Sequence, residues 1–467
     1  MANVLGELND ILDLIDIEDY DEPFHTDDDI VGLHMTISHL VHDFVERNIH
    51  IIPEEDYDNE LDTHVKEFII ETIPDELMLH DNAEEQMIET IDCAISDFFK
   101  NYSPPRSYSY SAIFDSPYNY QEKQWIDEQI QYLKKLPQPQ QRTPEWYIVR
   151  SKLLSASSAH KMFDSQATMN QLIYEKCQKW RELKNTNANN NNNNNDNNIR
   201  QITIKPDDTK RLVNVNSPLH WGQKYEPVSN MLYCKYYNVD IDEFGCIPHN
   251  KYHFIGASPD GIVTTKTSPR FGRLLEIKNI VNREITGIPK KEYWIQMQLQ
   301  MEVCGLNECD FFETKFVEYE SASEFYADTH DNDDTNKTLM DMLKNDGIEN
   351  APRKGIMLYF LDTNMEPIYI YKPLEIENTP EISNKWCEDE IGNYMETHEG
   401  AQFIDIIFWK LEIASCVLVP RNREWFMFAL PQIRNTWDII VMERDGNYAH
   451  RAPKSRSSTN TITNYLT

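Results

Sequence analysis

The sequence predicts an α/β fold, a mixed central sheet flanked by helices, with an acidic α-helical domain in front of it. Three observations carry this. In Arg273-Leu274-Leu275-Glu276-Ile277-Lys278 the alternation places Leu275 and Ile277 on one face of a strand and Leu274, Glu276 and Lys278 on the other. Helical patterns lie on either side of that strand, one with an apolar face of Trp221, Tyr225, Val228 and Leu232, the other from 293 to 302. Charge is also uneven. Of a net −34, residues 1–100 hold −26, from 29 Asp and Glu against 3 Lys and Arg, leaving −8 for the other 367 residues.

In chain order, the acidic helical domain is expected over 1–102. Asp27, Asp28 and Asp29 suit a helix N-terminus by charge and capping. Val31, Leu33, Ile37, Leu40, Val41, Phe44 and Val45 then form one apolar stripe, and further helical patterns follow at 63–72 and 83–100. His34, His39 and His42 share the first helix, but offsets of five and three do not bring all three together as ligands, so they read as surface or core residues. Residues 103–141 read as a linker, rich in Ser, Pro and Tyr, and a lead-in helix at 121–136. The α/β domain is expected over 142–450, with insertions at 185–199, a nearly pure asparagine tract too polar to bury, and at 320–353. Strands are expected at 356–361 and 368–371, helices at 380–397 and 425–442, and 451–467 reads as a disordered tail.

The chemistry centres on Asp260. It sits in Pro259-Asp260-Gly261, a turn between the runs 254–257 and 262–265, and folding that hairpin against the 273–278 strand brings its carboxylate toward Glu276. Two close carboxylates repel unless a cation neutralises them. Hard oxygen ligands favour Mg²⁺ or Mn²⁺, and a lysine beside the metal can hold or help deprotonate an attacking water. Each residue taken alone has an ordinary reading. Asp260 can simply stabilise its turn, Glu226 can be an exposed helix residue, and Glu276 with Lys278 can be a sheet-face ion pair worth under about 1 kcal/mol. Leu274 on the same face argues against full solvation, and Trp146, Trp221 and Trp294 read best as core anchors.

The company these residues keep is more specific. Arg150 in Glu145-Trp146-Tyr147-Ile148-Val149-Arg150 precedes Ser157 of Leu154-Ser155-Ala156-Ser157 by seven positions; Trp221-Gly222-Gln223-Lys224-Tyr225-Glu226-Pro227 follows, then Ser258-Pro259-Asp260-Gly261, Glu276-Ile277-Lys278, and Gln296-Met297-Gln298. In this order and spacing the blocks resemble the phage lambda type exonucleases, also called YqaJ-like viral recombinases or viral alkaline exonucleases, within the PD-(D/E)xK nuclease superfamily. The resemblance covers 142–320, and more faintly the strands near 355–373 and the helix near 423–441. It implies a restriction-endonuclease-like core and a metal-dependent exonuclease acting 5′ to 3′ on double-stranded DNA ends, leaving 3′ single strands for viral recombination, repair or genome processing. By the resemblance, Asp260, Glu276 and the Ile277 carbonyl are metal ligands for Mg²⁺, with Mn²⁺ able to substitute. Glu226 lies close to the metals and can support a second one, Lys278 assists the nucleophile, and Arg150 and Ser157 belong to the 5′-phosphate. The family's Q-x-Q falls on Gln296 and Gln298, which on an ideal helix lie about 200° apart, so at most one faces the metals. Motif position favours Gln298.

Other function classes remain open at this level. A structure-selective or nicking endonuclease would use the same metal site, and the acidic domain could serve as a DNA mimic or recruit a partner such as a single-strand annealing protein. Related phage enzymes form rings, so a homo-oligomer is compatible with the resemblance. The acidic net charge argues against a polyanionic partner, yet residues 141–320 hold 23 Lys and Arg against 21 Asp and Glu, so DNA can be held there by a few placed cations and the metals. Eight cysteines without a C-x-x-C pair read as reduced, and neither disulfides nor structural zinc are expected. No stretch reaches the length of a membrane span and no secretory leader is evident. The expected setting is intracellular, in the cytoplasm or nucleus of an infected host cell or packaged in a virion, since the asparagine tract and long insertions suit a large DNA virus.

Overall fold

The computed structural model describes residues 27–72, 83–111, 119–139, 143–190, 213–215, 217–328, 339, 342–344, 346–348 and 351–453. The chain forms two compact units, one of residues up to 52 together with 56–104, the other of 53–55 and everything from 105 onward. The first unit contains helices α1 (Asp27–Arg47), α2 (Tyr57–Thr72) and α3 (Ala83–Asn101). Its core follows the helical period: Ile37, Val41 and Val45 face Tyr57, Leu61, Val65 and Ile69 of α2 and Met87, Ile91, Ala94 and Phe98 of α3, all buried. The expected stripe narrows at its start, because Val31 is 58% exposed.

The second unit is the α/β body. A capping box of Asn119 and Glu122 starts α4 (Tyr120–Lys135). Thr143 caps α5 (Pro144–Ser151), whose first residue, proline, has no N–H to satisfy. The chain then passes β1 (Leu154–Ser155), the short α6 (Ala156–Ala159) and the long α7 (Gln166–Asn190). Helix α8 (Pro218–Tyr237) begins at the Ser217 cap and ends where Asn238 turns left-handed, φ 51°. There follow β2 (Ile241–Asp242), β3 (Ile247–Pro248), β4 (Ile255–Ala257), β5 (Gly261–Val263), β6 (Leu274–Asn279), α9 (Lys291–Cys304), β7 (Glu308–Glu318) and α10 (Ala322–Ala327). The body finishes with β8 (Lys354–Leu361), β9 (Pro367–Tyr371), α11 (Pro380–Thr397), β10 (Gln402–Pro420) and α12 (Arg423–Glu443).

Among the described residues, seven strands form the main sheet in the order β2-β5-β6-β7-β10-β8-β9, and β1-β4-β3 form a small second sheet. β6 and β7 are parallel, with Glu276 opposite Phe311 and Lys278 opposite Glu313, so a crossover must join them, and α9 is that crossover. Every other neighbouring pair in the main sheet is antiparallel. β10 pairs with β8 through its first half and with β7 through its second. One face of this sheet packs Val263, Leu275, Ile277, Phe312, Phe316, Met357 and Trp409 against Tyr225, Val228 and Leu232 of α8. On β8, Gly355 is required by packing, because a Cβ there would lie 2.4 Å from the Trp409 ring.

Several expectations change. The runs on either side of Asp260 are not a hairpin: β4 joins the small sheet and β5 the main one, so the turn carries the chain between sheets. The segment read as a linker is partly interior. Arg106 is 1% exposed and donates to the carbonyls of Pro53, at 3.0 Å, and Pro289, while its own carbonyl accepts from the Trp294 indole at 2.8 Å. The asparagine tract continues α7 as far as Asn190, and the rest of it lies outside the described residues. The insertion read at 320–353 sends Leu339, Met342 and Leu343 into the core. The tail beyond 453 also lies outside the described residues.

A buried charge cluster ties β6 and β7 to the loop before them. Asp310, fully buried on β7, accepts from Arg270 Nη1 at 2.5 Å, Arg273 Nη1 at 3.1 Å and Tyr233 Oη at 2.6 Å. Removing one member of such a set leaves uncompensated charge inside the protein. Asp310→Ala is therefore expected to cost about 3–5 kcal/mol of unfolding free energy, read from urea denaturation of the purified chain; a loss below about 1 kcal/mol, the scale of an exposed pair, would contradict this.

Candidate functional site

The site is built around β6. Asp260 is pinned at the start of β5, its N–H donating to the Leu275 carbonyl at 3.2 Å and its Oδ2 accepting from the Ile277 N–H at 2.7 Å. Glu276 is fully buried, and both its oxygens are held: Oε1 by Lys278 Nζ and by Gln296 Nε2 at 2.7 Å, Oε2 by Gln300 Nε2 at 2.7 Å. α8 brings Glu226 to the same place. That helix is fastened to β6 through Asn279, which donates to the Gly222 carbonyl at 3.0 Å and accepts from Ser229 and Thr314, each at 2.7 Å.

Asp260, Glu276, Lys278, Glu226, Asn279 and Gln296 line a cleft of about 770 Å³ that also contains Trp146, Arg150, Ser157, Arg283 and Tyr293. On its wall, the Arg150 guanidinium lies over the Trp146 ring, 4.2 Å from the centroid, and donates to Ser157 Oγ at 2.9 Å and Ser155 Oγ at 3.3 Å. Trp146 is thus part of the cleft as well as an anchor, while Trp294 is wholly core. Also in the cleft, the Tyr293 ring lies 5.1 Å from Lys278 Nζ and 5.5 Å from the Arg283 guanidinium. Arg283 pairs with Glu313, which is 1% exposed and whose carboxyl is pushed up by burial in spite of that partner.

Of the residues singled out from sequence, Arg150, Ser157, Glu226, Asp260, Glu276, Ile277, Lys278 and Gln296 all line this one cleft. Gln298 does not. It is 1% exposed on the far side of α9, donating to the Pro420 carbonyl at 2.9 Å and accepting from the Asn422 N–H at 2.7 Å, where it holds the start of α12. The reason is helical geometry: positions four apart share a face, so Gln296 and Gln300 meet Glu276 together and Gln298 is turned away. Gln300, Asn279, Tyr293 and Arg283 were not singled out from sequence; the i, i+4 repeat of glutamine on α9 is the one signal that could have found Gln300.

The electrostatics favour a cation. The Asp260 carboxyl is pushed well above its ordinary range, first by burial, then by Glu276, with Glu226 adding to both. Burial acts to lower the Lys278 ammonium, but Glu276 and Asp260 outweigh it and hold the pKa above its usual value. Three carboxylates thus line one cleft with one lysine, and all the candidate donor atoms are hard oxygens, a set that fits Mg²⁺ or Mn²⁺.

Behind the Arg150 wall, Lys176 is 9% exposed and donates to the Arg150 and Leu153 carbonyls at 2.9 and 2.7 Å. Burial first, then the Arg150 and Lys179 charges, bring its pKa down to about 7. The unfolded chain therefore binds the extra proton between about pH 7 and 10.5, and the lysine's contribution makes stability rise with pH across that window. We expect a slope of up to about 1.4 kcal/mol per pH unit from this group, seen as the difference between wild type and Lys176→Met in denaturation at a series of pH values. Parallel pH profiles would refute it. For the glutamines, Gln300→Leu should lower turnover by loosening Glu276, whereas Gln298→Leu should lower the melting temperature with turnover of the folded protein kept. The reverse pattern would restore the motif assignment.

Comparison with known proteins places these blocks in context. An uncharacterised protein, R354, of Acanthamoeba polyphaga mimivirus is 28% identical over 354 residues, 70% of this chain, and the chain spans 57% of that relative's length. Two crystal structures of the alkaline exonuclease LHK-Exo, from Laribacter hongkongensis, align at 16% identity and a TM-score of 0.33; they cover 66% and 65% of this chain and 97% and 95% of their own, the second being a complex with dAMP. The family model of the YqaJ-like viral recombinase domain matches residues 145–307, the stretch that holds Arg150, Ser157, Glu226, Asp260, Glu276 and Lys278. Residues 145–307 are thus similar to the YqaJ-like viral recombinase domain.

Proposed function

We propose that the cleft hydrolyses phosphodiester bonds at the ends of double-stranded DNA, as a metal-dependent exonuclease proceeding 5′ to 3′ and leaving 3′ single strands for recombination or genome processing. The observation that carries this reading is the convergence of Asp260 and Glu276 beside Lys278 in a cleft whose wall presents Arg150 and Ser157. A divalent cation, Mg²⁺ with Mn²⁺ as substitute, held by Asp260, Glu276 and the Ile277 carbonyl with Glu226 beside them, would neutralise these acids and supply charge to the attacking and leaving oxygens.

The protein's own groups divide the remaining work. Lys278, paired with Glu276 at the floor of the cleft, can orient the nucleophile and the phosphate oxygens as a charged donor or help to deprotonate the attacking water. Gln296 and Gln300 fix the Glu276 carboxylate, which would otherwise rotate under repulsion from Asp260. Arg150, packed over Trp146, can offer paired hydrogen bonds to a terminal phosphate, and the Ser157 hydroxyl adds a third contact. Arg283 and Tyr293 line the same cleft. A setting in viral DNA recombination, and with it a single-strand annealing partner, rests on the resemblance to that domain. Among the described residues no helix is long and apolar enough to cross a membrane.

End-labelled linear duplex with Mg²⁺, with and without a 5′-phosphate, tests the reading. Asp260→Ala and Glu276→Ala should abolish degradation, as should EDTA; a tenth or more of wild-type turnover in either variant would overturn the assignment. Lys278→Gln should slow single-turnover cleavage on the order of 10²-fold, and Arg150→Ala should erase the preference for phosphorylated ends. Cleavage of closed circular duplex would replace the exonuclease with an endonuclease, and loss of label from 3′ ends first would reverse the polarity.

A further inference from the structure

We propose that His34, Cys93 and Asp97 of the acidic helical unit bind one divalent transition-metal ion of the zinc class, at a site separate in sequence and in chemistry from the nuclease cleft. Cys93 and Asp97 are four apart on α3 and therefore share a face of that helix. α1 supplies His34, whose Nε2 lies 3.3 Å from Asp97 Oδ2. The imidazole nitrogen, the thiol sulfur and the carboxylate oxygen all lie within 4.8 Å of one another. Bonds of about 2.0–2.3 Å to a tetrahedral zinc ion put its ligands roughly 3.3–3.8 Å apart, so closing the set takes only side-chain rotation of about an ångström. The backbones that carry the ligands are fixed, since Ile37, Val41, Ile91 and Ala94 beneath them are fully buried.

A simple His34–Asp97 ion pair would explain two of the three groups, and at this exposure it would be worth under about 1 kcal/mol. It would not explain the third. Cys93 is the exposed member of the described cysteines, and it stands on the side of α3 that meets His34. One thiolate and one carboxylate balance a dication, which suits a segment carrying 29 acidic against 3 basic residues. Sulfur and imidazole select zinc, cobalt or nickel over magnesium, whereas the cleft is lined by oxygen ligands that favour magnesium. A cavity of about 370 Å³ next to His34 and Asp97, also lined by Ser38 and His39, leaves room for water as a fourth ligand. The ion would cross-brace α1 and α3. The absence of any C-x-x-C pair, which argued against structural zinc, does not bear on a site assembled from two helices.

Cobalt substitution in the full-length chain reads the site directly, because thiolate ligation produces a charge-transfer absorption that oxygen ligands do not. The expected result is one equivalent of Co²⁺ giving that absorption, displaced by Zn²⁺ and indifferent to excess Mg²⁺. Cys93→Ser should abolish it, and His34→Gln or Asp97→Asn should weaken binding on the order of tenfold or more. Asp260→Asn should leave the absorption in place, which separates this site from the cleft. Zinc should also raise the melting temperature of the acidic unit in the wild type and not in His34→Gln. Absence of the absorption, its survival in Cys93→Ser, or a melting shift unaltered by His34→Gln would each overturn the proposal.

Discussion

Glu276 has no contact with solvent, and an ionised carboxylate in such a position costs several kcal/mol unless its lone pairs are met. Much of the surrounding architecture can be understood as meeting them. Lys278 must follow at the second position along β6 so that its ammonium returns to the same face, and α9 must cross the sheet at a height that lets Gln296 and Gln300 reach down one turn apart. The crossover helix is in turn locked at its other side, where Gln298 holds the start of α12. The parallel β6–β7 pair, the helix between them and the final helix are therefore a single support for one carboxylate.

Asp260 is held by backbone, and this difference matters. Its side chain accepts from the Ile277 N–H while its own N–H donates to Leu275, so the residue is strapped to β6 at both ends. Glu226 stands on a helix fastened by Asn279, one residue beyond Lys278. Six residues of one strand thus organise all three acids, and the buried Asp310 cluster anchors the strand's entry. The cleft can remain electrostatically crowded because its frame does not depend on the crowded groups for stability.

The parts of this site that were legible in the sequence are those fixed by local geometry. Glu276 and Lys278 follow from strand alternation, Asp260 from its turn, and the helix at 380–397 from its own pattern and Pro380 start. What was not legible depends on contacts distant in sequence. The side of α9 facing the sheet is set by Asn422 and Pro420, so motif position misplaced Gln298. The turn at Asp260 looked like a hairpin because the departure of β4 to another sheet leaves no local mark. Arg106 sits among prolines and serines that read as a linker, and only its partners Pro53 and Pro289 show that it is interior. Residues 402–420 received no assignment at all, because the part of the strand that enters the core, 414–419, is buried at every position and lacks the alternation that identifies a strand, while its start at 402–405 is exposed.

That last strand has a consequence for how the protein is made. β10 lies between β7 and β8 in the sheet, yet roughly a hundred residues of chain separate the end of β7 from the end of β10, so at ribosomal rates of about 5–20 residues per second β7 waits several seconds or more for its neighbour. Throughout that interval an eleven-residue strand carrying Phe311, Phe312 and Phe316 presents an open row of amides and carbonyls. The newborn polypeptide is then most prone to pair with another copy of itself, and crowding of polysomes or depletion of chaperones would reduce yield through β7 before any defect in the finished molecule could be seen.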